Sequence, residues 1–61
     1  MKPDWKYAPD WAHYLSLDEF GLYEWHALRP YWAGKFGRWI SNGGVDIAGR
    51  EQSDSYLEQR P

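Results

Sequence analysis

The stretch WAHYLSLDEFGLYEWHALR, residues 11–29, decides the fold. Residues 11–18 alternate between apolar and polar side chains, the pattern of a half-buried strand, although an amphipathic helix competes over the same residues. The segment D-E-F-G at 18–21 has an acid first and a glycine last, as in a type I turn or a short bulged hairpin loop, and this favours the strand. Alternation resumes over residues 22–29. The stretch therefore predicts a β-hairpin.

The residues that follow predict further short strands. Residues 30–34, PYWAG, should form a loop, because their proline cannot donate a ladder hydrogen bond and should end the second strand. KFGRWIS at 35–41 predicts a third strand with a bulge at Gly37. The N-G-G at 42–44 is a strong turn signal, and VDI at 45–47 predicts a short fourth strand. The expected fold class is all-β, a small three- to four-stranded antiparallel meander.

The N-terminal residues have a different character. Residues 1–10 carry two prolines and no hydrophobic period, so they predict an extended arm rather than a helix. Pro-Asp-Trp occurs twice, at 3–5 and at 9–11, and its second copy marks the start of the first strand. No alternating pattern follows Trp5. We therefore expect Trp5 to cap the core or to reach a neighbouring subunit.

The C-terminal residues form a third region. Residues 11–49 make up the predicted sheet domain, and residues 50–61 form a polar tail in which Tyr56 and Leu57 are the large apolar residues. The S-x-x-E within this tail has the form of a capping box and permits one helical turn. We expect the tail to dock through its two apolar side chains, since terminal segments stay ordered only when they are tied down.

Length and composition limit the class of protein. A chain of 61 residues forms one small domain with a marginal core, and without cysteine it has neither disulfides nor thiolate zinc sites. His13 and His26 lie far apart in the sequence with no nearby carboxylate pattern, so no metal or cofactor is predicted. The twelve Trp, Tyr and Phe rings exceed what so small an interior can hold. A dimer or higher homo-oligomer is therefore expected.

Charge and hydropathy narrow the choice of partners. The formal net charge of −2 argues against duplex nucleic acid but leaves room for a small anionic ligand held by a few arginines. The longest apolar run is too short to cross a bilayer, and no signal-peptide pattern opens the chain. We therefore expect a soluble, cytoplasmic protein that does not contact a membrane.

Binding is better supported than catalysis. The serines have no nucleophile-elbow context, the adjacent Asp18 and Glu19 suit a solvated turn, and no glycine pattern matches a phosphate-binding fingerprint. Aromatic rings beside Lys and Arg suit a flat anionic ligand, because a base stacks on the ring while guanidinium groups hold its phosphate. The candidate ligand-binding residues are Tyr23, Trp25, His26, Arg29, Tyr31, Trp32, Lys35, Arg38 and Trp39.

Each candidate also has a purely structural interpretation. Trp25 fits a core position, and His26 fits a half-exposed position on a strand. Arg29 and Arg38 could form cross-strand pairs with acidic residues, which contribute little at a surface. The aromatic residues of the predicted loop 30–34 make the strongest case for binding, because loops on a rigid scaffold carry much of binding.

The chain resembles a set of very small bacteriophage and prophage proteins. The resemblance lies in PDWAHYL, DEFGLYEW, the following Pro30 and the closing SYLEQRP. Those proteins often have a PDWA-x-Y opening, a D-x-x-G turn and an SLE-x-RP end; this chain has Tyr56 where their tail often has Ser. Some are similar to phage counter-defence proteins, the anti-CBASS sponges that sequester the cyclic nucleotide signals of bacterial immune systems. The resemblance implies a non-enzymatic phage protein in the cytoplasm of an infected bacterium.

Three functions remain open from the sequence. The first is sequestration of a cyclic nucleotide, with two copies offering paired stacking surfaces to a symmetric ligand. The second is inhibition of a host protein through the aromatic-rich face, because Trp, Tyr and Arg are frequent hot-spot residues. The third is an oligomeric structural accessory without a ligand.

Overall fold

The strands and one short 3-10 turn account for all the regular structure of the chain. The computed structural model describes residues 1–61, and its only helical element is the turn at Trp5–Tyr7. No helix with the length and apolarity needed to span a bilayer is present. The all-β class with antiparallel sheets is confirmed. The strands are β1 (Tyr14–Leu17), β2 (Leu22–His26), β3 (Tyr31–Ala33), β4 (Arg38–Ile40), β5 (Val45–Arg50) and β6 (Tyr56–Gln59).

The strands form two sheets. Four of them make a sheet in the order β5-β2-β1-β6, and β3 pairs with β4 in a separate two-stranded sheet. The main sheet has four strands, as many as the larger predicted meander, but they are not the same four and their order is not sequential, because the strand predicted at 35–41 lies in the separate sheet and β6 comes from the predicted tail. It departs from a meander because β3 and β4 leave the sheet as a hairpin and because the last strand, β6, returns to pair with the first.

The β1–β2 hairpin has the turn that the sequence predicts. The Asp18 side chain accepts hydrogen bonds from the backbone N–H groups of Phe20, at 2.8 Å, and Leu22, at 3.0 Å. Gly21 closes the turn with a positive φ of 81°, a conformation that a residue with a Cβ rarely adopts. The strands then pair with Leu15 opposite Trp25 and Leu17 opposite Tyr23. β1 starts at Tyr14 rather than Trp11, because Ala12 N–H bonds back to the Pro9 carbonyl in a turn.

The predicted loop at 30–34 is wrong for its central residues. Tyr31–Ala33 form β3, in which Trp32 pairs with Trp39 of β4. The second strand, predicted over residues 22–29, ends at His26, four residues before Pro30, and the proline does not prevent a new strand one residue later. The third strand is also shorter than predicted, because residues 34–37 form the turn between β3 and β4. Gly37, with φ of 66°, belongs to that turn rather than to a bulge inside a strand.

The segment S-Y-L-E is part of a strand rather than a helical turn. Tyr56–Gln59 form β6, which pairs antiparallel with β1 so that Leu57 lies opposite Ser16. A single helical turn leaves most of its backbone groups unbonded, whereas the open edge of β1 offers a complete ladder. Further along the chain, Arg60 Nη1 donates to the carbonyl oxygens of Pro9, at 3.1 Å, and Ala12, at 2.7 Å.

The N-terminal arm is not extended throughout, which corrects the prediction. The Asp4 side chain accepts a hydrogen bond from Lys6 N–H at 3.0 Å and so caps the 3-10 turn. Trp5 lies against Trp25, with ring centroids 4.9 Å apart, and its indole N–H donates to Glu58 of β6. The arm is therefore held against the sheet by its tryptophan.

The two faces of the main sheet are covered differently. One face carries the apolar core, which is completed by partly buried side chains from the arm, from β5 and from β6. Ser16 and His26 lie on the opposite face, where the β3–β4 hairpin packs, and neither is exposed to solvent. Trp39 fixes this hairpin, since its indole N–H donates to the Leu17 carbonyl at 3.1 Å. The buried core residues are Ala12, Leu15, Leu17, Tyr23 and Trp25.

Candidate functional site

Tyr23 and Trp25, two of the sequence-predicted site residues, lie in the core. They are 2% and 4% exposed, so neither offers a ring to a ligand in solution. The Tyr23 hydroxyl donates to Glu51 Oε1 at 2.8 Å, and burial raises the pKa of this phenol, helped by its hydrogen bond with the Tyr56 hydroxyl. These groups hold β2, β5 and β6 together rather than form an accessible site.

His26 lies on the other face of the sheet and is fully buried. Its Nε2 is 2.8 Å from Ser16 Oγ, and its Nδ1 has no hydrogen-bond partner. Burial lowers the pKa of the imidazole, because the charged form would lose its water without gaining an acidic partner. A neutral ring with Nε2–H donating to Ser16 leaves only an acceptor unbonded. A ligand on the surface therefore does not contact this imidazole.

The remaining predicted residues lie on or beside the β3–β4 hairpin. Tyr31 is 54% exposed and Trp32 is 37% exposed, whereas Trp39 is half-buried against the sheet. The two indoles meet edge to face across the strands, with centroids 5.1 Å apart. We call the exposed surface around this hairpin the hairpin face, and its members are Arg29, Tyr31, Trp32, Lys35 and Arg38. Tyr31 and Arg38 project from one side of the two strands, whereas Trp32 projects from the other side together with Trp39.

The cations of the hairpin face have no acidic partner within salt-bridge distance. The structure contains two salt bridges, from the N-terminal amine to Glu51 and from Lys2 to Glu58, and both lie at the arm. Arg29 lies 5.8 Å from the centroid of the Tyr14 ring, and Lys35 lies 5.8 Å from that of Phe36. The cross-strand ion pairs that the sequence allowed for Arg29 and Arg38 do not form.

The distribution of charge along the chain explains this isolation. No Asp or Glu occurs in residues 25–45, which contain Arg29, Lys35 and Arg38. All nine acidic residues therefore lie outside the stretch that forms the hairpin. The sequence itself shows this separation of basic from acidic residues, which the net charge alone does not reveal. The protein is acidic overall, but the hairpin face is basic.

Two acidic side chains lie close to the hairpin face, because the Glu19 carboxylate lies against Gly37 in the hairpin turn and Glu24 lies within the field of Arg38. Burial raises the pKa of Glu24, and the negative charge of Asp18 raises it further. The Arg38 guanidinium acts in the opposite direction and favours the carboxylate. Part of the field of Arg38 is thus directed at Glu24.

Comparison with known proteins gives no relative. No family model, curated protein or solved structure matches this chain. The resemblance to small phage proteins therefore stays a prediction, and the site is argued from its geometry.

The hairpin face is open rather than concave. No pocket indents the surface, and no group of three or more His, Asp or Glu side chains comes together as a metal site. The Trp32 indole folds back over the turn, with its Nε1 3.3 Å from where a Cβ on Gly34 would lie. Tyr31, which has Arg38 on the same side of the two strands, can stack one side of a flat ligand while the arginine holds its negative charge.

Proposed function

We propose that the protein acts by binding, without catalysis, and that the hairpin face takes an anionic nucleotide. The observation that carries the proposal is the set of three cations without salt-bridge partners in and next to a hairpin that exposes two aromatic rings. A base that stacks on Tyr31 or Trp32 gains about 1–3 kcal/mol, and an arginine can hold a phosphate with two parallel hydrogen bonds. Both kinds of contact are available within one short hairpin.

The resemblance to phage counter-defence proteins supports a more specific ligand. In this proposal the nucleotide is a cyclic immune signal, and binding lowers its free concentration in the infected cell. An open face covers one side of a ligand only. Two copies related by a twofold axis would cover both sides of a symmetric cyclic dinucleotide, and twofold symmetry is the commonest arrangement of small homo-oligomers.

Calorimetric titration tests the proposal directly. The purified protein is titrated with a panel of cyclic di- and trinucleotides, with a linear dinucleotide of the same bases as the control. Saturable binding of one cyclic member, weakened by added salt, is expected because the contacts are to phosphate. Absence of binding to every member of the panel overturns the proposal.

Inhibition of a host protein is the second candidate, and the open shape of the hairpin face favours it. Protein–protein contacts do not need a pocket, and Tyr, Trp and Arg dominate their binding energy. Capture from a bacterial lysate separates the two functions. A stoichiometric protein partner that is lost with Trp32→Ala supports inhibition, whereas nucleotide released from the heat-denatured protein supports sequestration.

A further inference from the structure

Strand β5 is an edge strand of the main sheet, and part of its backbone has no hydrogen-bond partner on a neighbouring strand. Ala27 N–H bonds to the Gly44 carbonyl at 2.9 Å, and the register then continues with His26 opposite Val45, Trp25 opposite Asp46 and so on. Opposite residues of an antiparallel pair alternate between bonded and non-bonded positions. The backbone groups of Val45 and Ile47 therefore point away from β2, toward solvent.

The side chains of these two residues are exposed as well. Val45 is 44% exposed and Ile47 is 64% exposed, on the face of the sheet that carries His26 and Glu24. The opposite edge of the sheet differs, because the side chains of Tyr56–Glu58 in β6 are half-buried and the arm bonds to Glu58 through Lys2 and Trp5. Only the β5 edge combines outward backbone groups with exposed β-branched side chains.

Asp46 separates the two exposed residues and acts on the same edge. Its Oδ1 accepts a hydrogen bond from Ile47 N–H at 2.9 Å, so the outward donor of Ile47 is already bonded within the chain. Charged side chains on an edge strand are a known protection against unwanted pairing. A strand that pairs with β5 has to accept the Ile47 N–H in place of Asp46. The Asp46 carboxylate then lies beside a side chain of the added strand.

A second copy of the chain is a poor partner at this edge. The regular part of β5, before the bulge near Ala48, is Val45–Ile47. A twofold pairing that matches both outward residues sets Val45 against Ile47 of the second copy, and it places the two Asp46 residues directly opposite each other. Like charges in that position destabilise a strand pair. A homo-oligomer of this protein would therefore use another surface.

We propose that the β5 edge binds an extended segment of another protein, with a Lys or Arg opposite Asp46 and apolar residues on either side of it. The partner's carbonyl accepts Ile47 N–H, and its cation pairs with the carboxylate that this exchange releases. Main-chain hydrogen bonds of this kind give affinity, and the side chains give the selectivity. The Asp46 carboxylate repels the Asp46 carboxylate of a second copy, and the same negative charge attracts a basic strand. This surface is separate from the hairpin face, so the two proposals stand or fall independently.

Two short peptides test the proposal with the intact protein. Both alternate Thr and Val around a central residue, which is Lys in one peptide and Glu in the other. The Lys peptide should shift the NMR amide signals of Val45 and Ile47, slow their hydrogen exchange, and bind roughly tenfold tighter than the Glu peptide. Equal affinities, or an absence of change at these two amides, overturn the proposal.

A charge reversal sharpens the result. Asp46→Lys should reverse the preference so that the Glu peptide binds more tightly, because the variant side chain stays on the exposed edge and leaves the β2 ladder intact. Asp54→Lys is the matched control, since Asp54 is exposed outside the strands and its reversal should leave the preference unchanged. If both substitutions reverse the peptide preference equally, the preference depends on net charge only, and this contradicts a site at β5.

Discussion

The Ser16 hydroxyl and the His26 imidazole meet at 2.8 Å on a face of the sheet that solvent does not reach. Ser16 lies opposite Glu24 in the register and His26 lies opposite Tyr14, so the hydrogen bond runs diagonally between β1 and β2. Diagonal neighbours in a sheet come within reach only when one side chain is long, as the imidazole is. A slip of the two strands would break this bond and leave both buried groups unbonded, which ties the register to a polar pair as well as to the core.

Stability should fall in mild acid because of His26. Its folded pKa lies below the ordinary value of 6.5, so the unfolded chain binds the proton more readily. The stabilisation is complete above pH 6.5 and is lost as the pH falls through and below that value toward the folded pKa. Urea unfolding at about pH 7.5 and about pH 5.5 measures the loss.

Two histidine variants isolate this effect. His26→Gln should lower stability at both pH values and show a smaller difference between them, because the amide does not titrate. Glu24 lies nearby and titrates in both proteins, so the comparison removes its contribution. His13→Gln is the matched control, since it replaces an exposed histidine and leaves the pair of Ser16 and His26 intact. An unchanged slope in His26→Gln contradicts the assignment.

Replacement of Trp5 should destabilise the fold. The indole packs against Trp25 and donates to Glu58, and Trp5→Ala removes both contacts, at a cost of about 2–4 kcal/mol in the free energy of unfolding. Tyr7→Ala is the matched aromatic control, because Tyr7 is 76% exposed and its loss should change stability by less than about 0.5 kcal/mol. Equal urea midpoints for the two variants would show that the arm is not anchored by its tryptophan.

Substitution of Gly37 should weaken the β3–β4 hairpin. Its φ of 66° is unfavourable for alanine, and an added Cβ would collide with the Glu19 carboxylate, so Gly37→Ala should lose about 1–2 kcal/mol. Gly37→Asn should lose less, because asparagine tolerates this conformation better. Gly44→Ala serves as a control, since the nearest atom to its Cβ would be 3.6 Å away. Equal midpoints in thermal unfolding for the two alanine variants would refute the role of the turn.

Nucleotide binding should depend on Tyr31. Tyr31→Ala removes a stacking ring from the hairpin face and should weaken binding by about 1–3 kcal/mol, a factor of about five to more than a hundred in Kd. Phe20→Ala is the control, because Phe20 is 66% exposed and lies outside the acid-free stretch. Calorimetry on the cyclic nucleotide bound by the wild type gives both values. A similar loss in the two variants would mean that Tyr31 is not a specific contact.

The features that the sequence predicts correctly are those with local causes. The hairpin of β1 and β2 follows from alternation on both sides of one turn, and Asp18 and Gly21 sit within that turn. β6 follows from no local signal, because its partner β1 is distant in the sequence and a capping-box pattern competes with the strand. The local pattern permits a helical turn, whereas tertiary pairing with β1 makes the segment a strand.

The candidate site shows the same limit. Alternation places Tyr23 and Trp25 on one face of β2, but it cannot say which face the core occupies, and both residues are buried. The sequence indicates the hairpin residues because aromatic side chains lie close to Lys and Arg there, although it predicts a loop for Tyr31 and Trp32 rather than β3. Their separation from acidic residues along the chain can be seen in the sequence, whereas the approach of Glu19 and Glu24 to the hairpin follows only from the fold.

The position of β6 beside β1 also determines the order in which the chain can assemble. The β1–β2 hairpin forms from neighbours in the sequence, but the bond from Arg60 to Ala12 spans 48 positions and the bond from Trp5 to Glu58 spans 53. Closing loops of that size is entropically slow, so we expect the hairpin to nucleate and β6 to dock late. Because Glu58 and Arg60 hold the arm, the first residues of the chain become fixed only after the last strand is in place.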